Sequence, residues 1–211
     1  PFVGRAGQLL TTIIESIGVY LPPNEVTTEE VVRGCQNRVW FPLERMAGIH
    51  SRRMSGEGDY CVDLARKAIE RCFAISKYGP ADIDLVICCN ITRAITPVSV
   101  LIEPNTAMSV KKIFGMDHAI AFDVTNACGG MFTAIWMADA FLQLGLMRRA
   151  LVVSGEYITG ITKSAQIEID GFLDSRIACL TVGDAGAAVL LEAAENRSVG
   201  FHELEMYSVS R

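Results

Sequence analysis

Between Tyr60 and Ser76, apolar residues recur at Val62, Leu64, Ala65, Ala68, Ile69, Cys72 and Phe73, with Asp63, Arg66, Lys67, Glu70 and Arg71 between them. That period places one stripe of a helix on a core and the charges in water. Gly79-Pro80 closes the helix, and the run Ile83 to Cys89 has no polar alternation beyond Asp84. A strand with that pattern is covered on both faces. Adjacent strand residues point to opposite sides, so Cys88 and Cys89 are expected as small core residues on two different faces. Further strands are expected at Leu9 to Tyr20, Ala119 to Val124, Ala150 to Ser154, Ile177 to Val182, Ala187 to Glu192 and Gly200 to Ser208. A helix capped by Thr27 or Thr28 runs towards Cys35, with Glu29 and Glu30 in its first turn. Arg38 to Met54 reads as irregular, Thr92 to Glu103 as a long loop, and Pro104 to Phe114 as a helix ended by Gly115. Strands alternating with helices around buried apolar strands make this a layered α/β chain.

Composition narrows the class. The 211 residues carry 19 Lys+Arg against 24 Asp+Glu, a formal charge of −5. That balance argues against a nucleic-acid surface, which needs clustered basic residues. The mean hydropathy of +0.30 raises the question of a membrane. The most apolar uncharged stretch, Val124 to Ala138, is interrupted by Asn126, Gly129 and Gly130. It falls short of the roughly 20 apolar residues a spanning helix needs, so buried core is the expectation. Seven cysteines without a CxxC, and without His at ligand spacing, fit reduced thiols in the cytoplasm and no metal site.

One segment stands apart: Ala121-Phe122-Asp123-Val124-Thr125-Asn126-Ala127-Cys128-Gly129-Gly130. A strand ends, the chain turns at small residues, and a helix begins at Cys128. Along it Met131, Phe132, Ala134, Ile135, Trp136, Met137, Ala138, Phe141, Leu142 and Leu144 leave almost no polar face, the mark of a buried helix. A helix N-terminus presents unpaired N–H groups and about half a positive charge, which stabilise a thiolate and a developing oxyanion. Gly129 and Gly130 leave room for a substrate beside the sulfur, and Asn126 shapes the turn, since Asn tolerates a strained backbone. Two readings stay open on pattern alone: a nucleophile at a strand-to-helix elbow, and a small Cys buried under a helix cap.

The chain resembles the first half of a thiolase-fold condensing enzyme of the ketoacyl synthase III group. The matching pieces, in family order, are Ala47-Gly48-Ile49-His50-Ser51-Arg52-Arg53, Phe122-Asp123-Val124 through Ala127-Cys128, Ala150-Leu151-Val152-Val153 and Gly183-Asp184-Ala185-Gly186-Ala187-Ala188. The resemblance implies a layered αβαβα fold, of which residues 1–211 form the N-terminal lobe, with a mixed sheet and a buried central helix. It implies that Cys128 is acylated from acyl-CoA or an acyl carrier protein before a Claisen condensation in fatty acid or polyketide biosynthesis. No cofactor is implied, because CoA or phosphopantetheine thioesters are the substrates. A narrower resemblance, to head-to-head acyl-CoA condensing enzymes of bacterial olefin biosynthesis, rests on the Ala-Gly-Ile-His-x-Arg-Arg run, the Asn before Ala-Cys, and Glu103-Pro104-Asn105-Thr106-Ala107. It implies that Glu103 is a base donated across a homodimer interface. The Arg93 to Glu103 loop is longer than in that subgroup, and the Gly183-Asp184 turn is closer to the ketoacyl synthases.

The resemblance also implies substrate contacts. Arg176, ahead of the expected Ile177 strand, and Trp40 stand where the family flanks a CoA adenine; a surface Arg and a half-buried Trp are the plainer readings. The family's His and Asn from a second half have no counterpart among His50, His118 and His202. The expectation is therefore a second lobe absent from this chain. Two other functions stay open at this point: a non-catalytic partner subunit of a two-chain enzyme, and an acyltransferase to an oxygen or nitrogen acceptor.

Overall fold

The computed structural model describes residues 10–37, 42–171, 173–196 and 198–207. Its centre is a five-stranded mixed sheet. In chain order the elements are β1 (Thr11–Tyr20), β2 (Asn24–Thr27), α1 (Thr28–Arg33), α2 (Leu43–Ala47), β3 (Ser51–Met54), α3 (Cys61–Ile75) and β4 (Leu85–Cys88). They continue with β5 (Ala94–Thr96), β6 (Ser99–Val100), α4 (Thr106–Phe114), β7 (Ile120–Asp123), α5 (Gly130–Gln143), β8 (Arg149–Glu156), α6 (Thr159–Glu168) and β9 (Ala185–Ala194). The sheet order is β1-β9-β8-β4-β7. β4 runs parallel to β7 and β8, whereas β9 pairs antiparallel with β8 and β1.

Side-chain alternation divides the core between the two faces of this sheet. Val86 and Cys88 of β4 pack with Ala65, Ala68, Ile69 and Cys72 of α3 and with Val110 of α4. Leu85 and Ile87 join Cys89 on the other side, against Ala134, Ala138 and Leu142 of α5. Cys88 and Cys89 therefore lie on opposite faces, as the strand pattern predicts. α3 sits so close to the sheet that a Cβ on Gly155 or Gly186 would fall 2.0 Å from the Cys61 carbonyl oxygen and 2.1 Å from that of Leu64. Only glycine permits this approach. Among the described residues no helix is long and apolar enough to cross a membrane.

The structure departs from the sequence pattern at several places. The supposedly irregular Arg38 to Met54 contains α2 and β3, and β3 pairs antiparallel with β2. The loop after Thr92 folds into a small β5–β6 ladder. Ile177 to Val182 is not a strand: Ser175–Thr181 forms a 3-10 helix, begun by Asp174, whose side chain accepts from the Arg176 N–H. An apolar run of that length fits either state, and here its alternatives were decided by packing on α1 and α6. The described part of Gly200 to Ser208 is irregular, tied to β1 by Phe201 N–H donating to the Thr12 carbonyl at 2.8 Å and by the Thr11 hydroxyl donating to the Phe201 carbonyl at 3.3 Å; Ser208 lies outside the described residues.

The Gly183–Gly186 segment is not a turn between two strands. It is the entry to β9, anchored by the buried Asp184. The Asp184 carboxylate accepts from the N–H groups of Ser55, Ile158 and Thr159 and from the Thr159 hydroxyl, all between 2.7 and 2.9 Å. The expected burial of the central helix is also corrected. α5 buries Gly130, Ala134, Ala138, Asp139 and Leu142, but Phe132 is 70% and Trp136 45% exposed. Among the described residues only one face of α5 finds a partner.

Candidate active site

β4, β7 and β8 are parallel, so their carboxyl ends lie at one edge, where open α/β sheets place their ligand chemistry. Cys128 stands at that edge. β7 ends at Asp123, Val124 N–H donates to the Cys88 carbonyl at 2.8 Å, and the chain then turns. Residues Ala127–Gly129 form a 3-10 turn before α5 begins at Gly130. The α-helix thus starts two residues after Cys128 rather than at it. The turn is strained at Ala127, whose φ of 42° is in the left-handed region that residues with a Cβ avoid. Asn126 has an extended φ of −150°, so the strain expected at Asn126 sits one residue later.

This geometry presents the sulfur outward. Cys128 is exposed, whereas Cys61, Cys72, Cys88 and Cys89 are buried. No side chain caps the start of α5. Asn126 Nδ2 donates to Thr133 Oγ1 at 2.8 Å, and Thr133 Oγ1 donates to the Gly129 carbonyl at 3.0 Å, which braces the elbow from within the helix. Gly129 stays open, with only Asn126 near its missing side chain. Gly130 does not make substrate space: a Cβ there would meet the Cys89 carbonyl at 3.1 Å, so this glycine lets the helix seat on β4. Burial pushes the Cys89 thiol up to about 12 and the Cys88 thiol well above the usual range, leaving both inert beside the elbow.

Around the elbow the strand ends carry polar groups that sequence reasoning missed. Asn90, buried, donates from Nδ2 to the Gly155 carbonyl at 2.7 Å and accepts from Gly155 N–H at 3.0 Å, stitching β4 to β8 beyond their ladder. Glu156, at the end of β8, accepts from Ile91 N–H at 2.7 Å, from Thr92 N–H at 2.8 Å and from the Thr92 hydroxyl. Burial raises its carboxyl above the ordinary range even so. Asp123 accepts from Thr106 and Ala107 N–H at 3.0 and 2.8 Å. Its place as the one charge at the end of an apolar strand was a signal in the sequence, but not its partners. Glu103 follows the β5–β6 ladder on an exposed segment, and its carboxylate has no hydrogen-bond or ion-pair partner among the described residues.

The remaining sequence candidates are not gathered here. Arg176 lies inside the 3-10 helix, its guanidinium paired to Asp174 at 2.7 Å and Glu168 at 2.9 Å. Those hydrogen bonds hold the Asp174 carboxyl well below the usual range and the arginine above it. Trp40 lies outside the described residues. A cleft of about 660 Å³ opens between α1 and α2, lined by Thr28, Val32, Arg33, Leu43, Arg45 and His50 among others. Neither Cys128 nor Glu103 lines it, so its size does not mark the chemistry. His50, His118 and His202 are all exposed, and none makes a hydrogen bond to Cys128; His50 pairs with Glu44 at 2.9 Å, which raises its imidazole.

Comparison with known proteins bears on the fold and on what the chain is similar to. Residues 122–210 match the family model described as 3-oxoacyl-[acyl-carrier-protein (ACP)] synthase III. The β-ketoacyl-[acyl-carrier-protein] synthase III of Rhizobium johnstonii is 28% identical over 94% of this chain and 61% of its own length. Xanthomonas campestris OleA with cerulenin bound superposes with a TM-score of 0.76 at 25% identity, covering 88% of this chain and 60% of that one. OleA solved with lauric acid and lauroyl-CoA gives 0.74 at 25% identity, over 87% and 56%. The chain thus spans 61% of the first of these relatives and similar shares of the other two. The layered α/β architecture expected from the sequence is the architecture these neighbours share.

Proposed function

We infer that this chain, a ketoacyl synthase III-like lobe of the thiolase fold, carries the nucleophile of a carbon–carbon bond-forming condensing enzyme. One observation carries the reading: an exposed Cys128 on a strained elbow at the uncapped start of α5, in a lobe similar to these synthases. The Cys128 thiolate attacks the carbonyl of an acyl-CoA or acyl-carrier-protein thioester. The carbon–sulfur bond to the carrier breaks, its thiolate leaves, and the acyl group stays on Cys128. The positive N-terminal end of α5, which no side chain caps, stabilises the oxyanion formed on the way.

The second thioester then supplies a carbanion. Glu103 removes its α-proton, the carbanion attacks the acyl carbon on Cys128, and the Cys128 thiolate leaves as the new C–C bond forms. The unpartnered, exposed carboxylate supports this role for Glu103. Decarboxylation of a malonyl group makes an equivalent carbanion, and the product distinguishes the two routes.

Three further parts belong to the proposal. A second lobe covers the open face of α5 and supplies a His and an Asn to the site, where none of His50, His118 and His202 makes a hydrogen bond to Cys128. A second copy pairs along β7, an edge strand beside the nucleophile. The enzyme works in the cytoplasm, where seven free cysteines persist. The test is intact-mass measurement of the full-length protein mixed with lauroyl-CoA. A lauroyl mass on the wild type that is absent from Cys128→Ala is expected; equal labelling of both proteins refutes the nucleophile.

A further inference from the structure

The loop that carries Glu103 leaves the sheet after β4 and returns at α4, and both of its feet rest on carboxylates at the strand ends. At the outgoing foot, Glu156 takes the N–H groups of Ile91 and Thr92. One residue on, the Arg93 guanidinium reaches the Asp123 carboxylate, with 3.3 Å between Nη2 and Oδ2. At the returning foot, the same carboxylate takes the first N–H groups of α4, Thr106 at Oδ2 and Ala107 at Oδ1. Leu101 N–H donating to the Arg93 carbonyl at 2.8 Å closes the loop on itself between the feet.

Asp123 is not the ordinary cap of α4. Asn105 already fills that place, its side chain accepting from Met108 N–H at 2.8 Å. Asp123 comes from another strand, its side chain is only 7% exposed, and it is the last residue of β7 before the turn to Cys128. A carboxylate suits three donors from two directions because it only accepts, whereas an amide would turn an N–H on one of them. The helix N-terminus adds its partial positive charge to that of Arg93. Cys128 and the Glu103 loop are thus hung from one group.

We propose that Asp123, through Arg93 and the first turn of α4, is a positioning residue that sets where Glu103 stands relative to the acylated Cys128. The inference rests on the reading of Glu103 as the base acting on the second thioester. It holds whether the loop serves its own site or a partner's, because the loop departs from this clamp in either case.

The test separates the two half-reactions in the full-length protein, with lauroyl-CoA as both thioesters. Arg93 is partly exposed and lies outside the sheet, so Arg93→Ala is the first variant and Arg93→Lys the conservative one; Asp123→Asn follows. Cys128 acylation, read by intact mass, is expected to stay within about twofold of wild type in Arg93→Ala. Condensed product is expected to fall roughly 10- to 100-fold, the scale of a misplacement of about 1 Å. Arg93→Lys restores part of it, and Glu103→Gln abolishes condensation while leaving acylation. Arg93→Ala condensing at the wild-type rate, with Glu103→Gln inactive, overturns the clamp and keeps the base. Parallel loss of acylation and condensation in Arg93→Ala overturns it too, as a merely structural contact. Wild-type condensation by Glu103→Gln overturns the base, and with it the clamp's role.

Discussion

Helices α3 and α5 cover opposite faces of one sheet, and their sequences differ in the sense opposite to their burial. α3 is amphipathic, with charges along its outer side, and its inner side is sealed: Leu64, Ala65, Ala68, Ile69 and Cys72 are all 0% exposed. α5 is apolar nearly all round, yet leaves Phe132 and Trp136 in water. On the same side of the sheet, Ile17 and Val19 of β1 are about half exposed, opposite in sense to Ser16, which contacts Cys72 of α3. An amphipathic helix ends a stack of layers; an apolar helix belongs in the middle of one. The α3 side has the pattern of an outer surface, and the α5 side has the pattern of an inner layer, which is what the proposed second lobe would cover.

The sealed face gives the largest effect. Gly186→Val drives its Cβ into the Leu64 carbonyl, and destabilisation of about 3 kcal/mol or more is expected in urea unfolding. Leu64→Ala leaves a cavity in a face with no slack and is expected to cost about 2–5 kcal/mol in the same experiment. On the α5 face the full-length protein decides the comparison. If a further layer covers Phe132 and Trp136, Phe132→Ser and Trp136→Ser each cost about 1.5–3 kcal/mol. That is the expected result, and changes within about 0.5 kcal/mol mean the face stays open.

Thiol labelling resolves the same contrast chemically. Iodoacetamide is expected to modify Cys128 in the native protein, while Cys61, Cys72, Cys88 and Cys89 react only on unfolding. Native labelling of Cys88, beneath α3, breaks the sealed-face description. The smallest effect is expected away from both helices. Arg176 holds Asp174 low, so this pair stabilises the fold above the unfolded-state pKa of Asp, near 3.8. The contribution is lost as pH falls below about 4 towards the lowered folded-state value. Denaturation of Arg176→Ala and wild type across pH 6 to 2 is expected to converge at the acid end.

Most of the elements were legible because the forces that make them act over a few residues. The helix Cys61–Ile75, the strands from Leu85 and Ile120, and the helix from Thr106 to Gly115 all follow from apolar period, caps and glycine stops. Ile177 to Val182 was misread because a short apolar run without period carries no helix-or-strand signal of its own. Cys128 was legible as a candidate from small residues between a strand and an apolar helix. Its exposure was not, since a buried Cys has the same neighbours in sequence. The positions of Arg93, Asp123 and Glu156 around the loop of Glu103 were invisible, because their partners lie 16, 17, 30 and 64 or more residues away along the chain and meet only in the folded sheet.

The sequence by itself determined an α/β chain, its main helices and strands, and one cysteine as a candidate nucleophile. Tertiary structure decided which faces close, that Gly130 seats a helix rather than admits a substrate, and that one carboxylate joins the strand before Cys128 to the loop of the proposed base. The division has a simple cause. Dihedral preference, capping and side-chain period are properties of neighbours along the chain, whereas a clamp between β7, the loop after β4 and α4 exists only once the strand order brings their ends together.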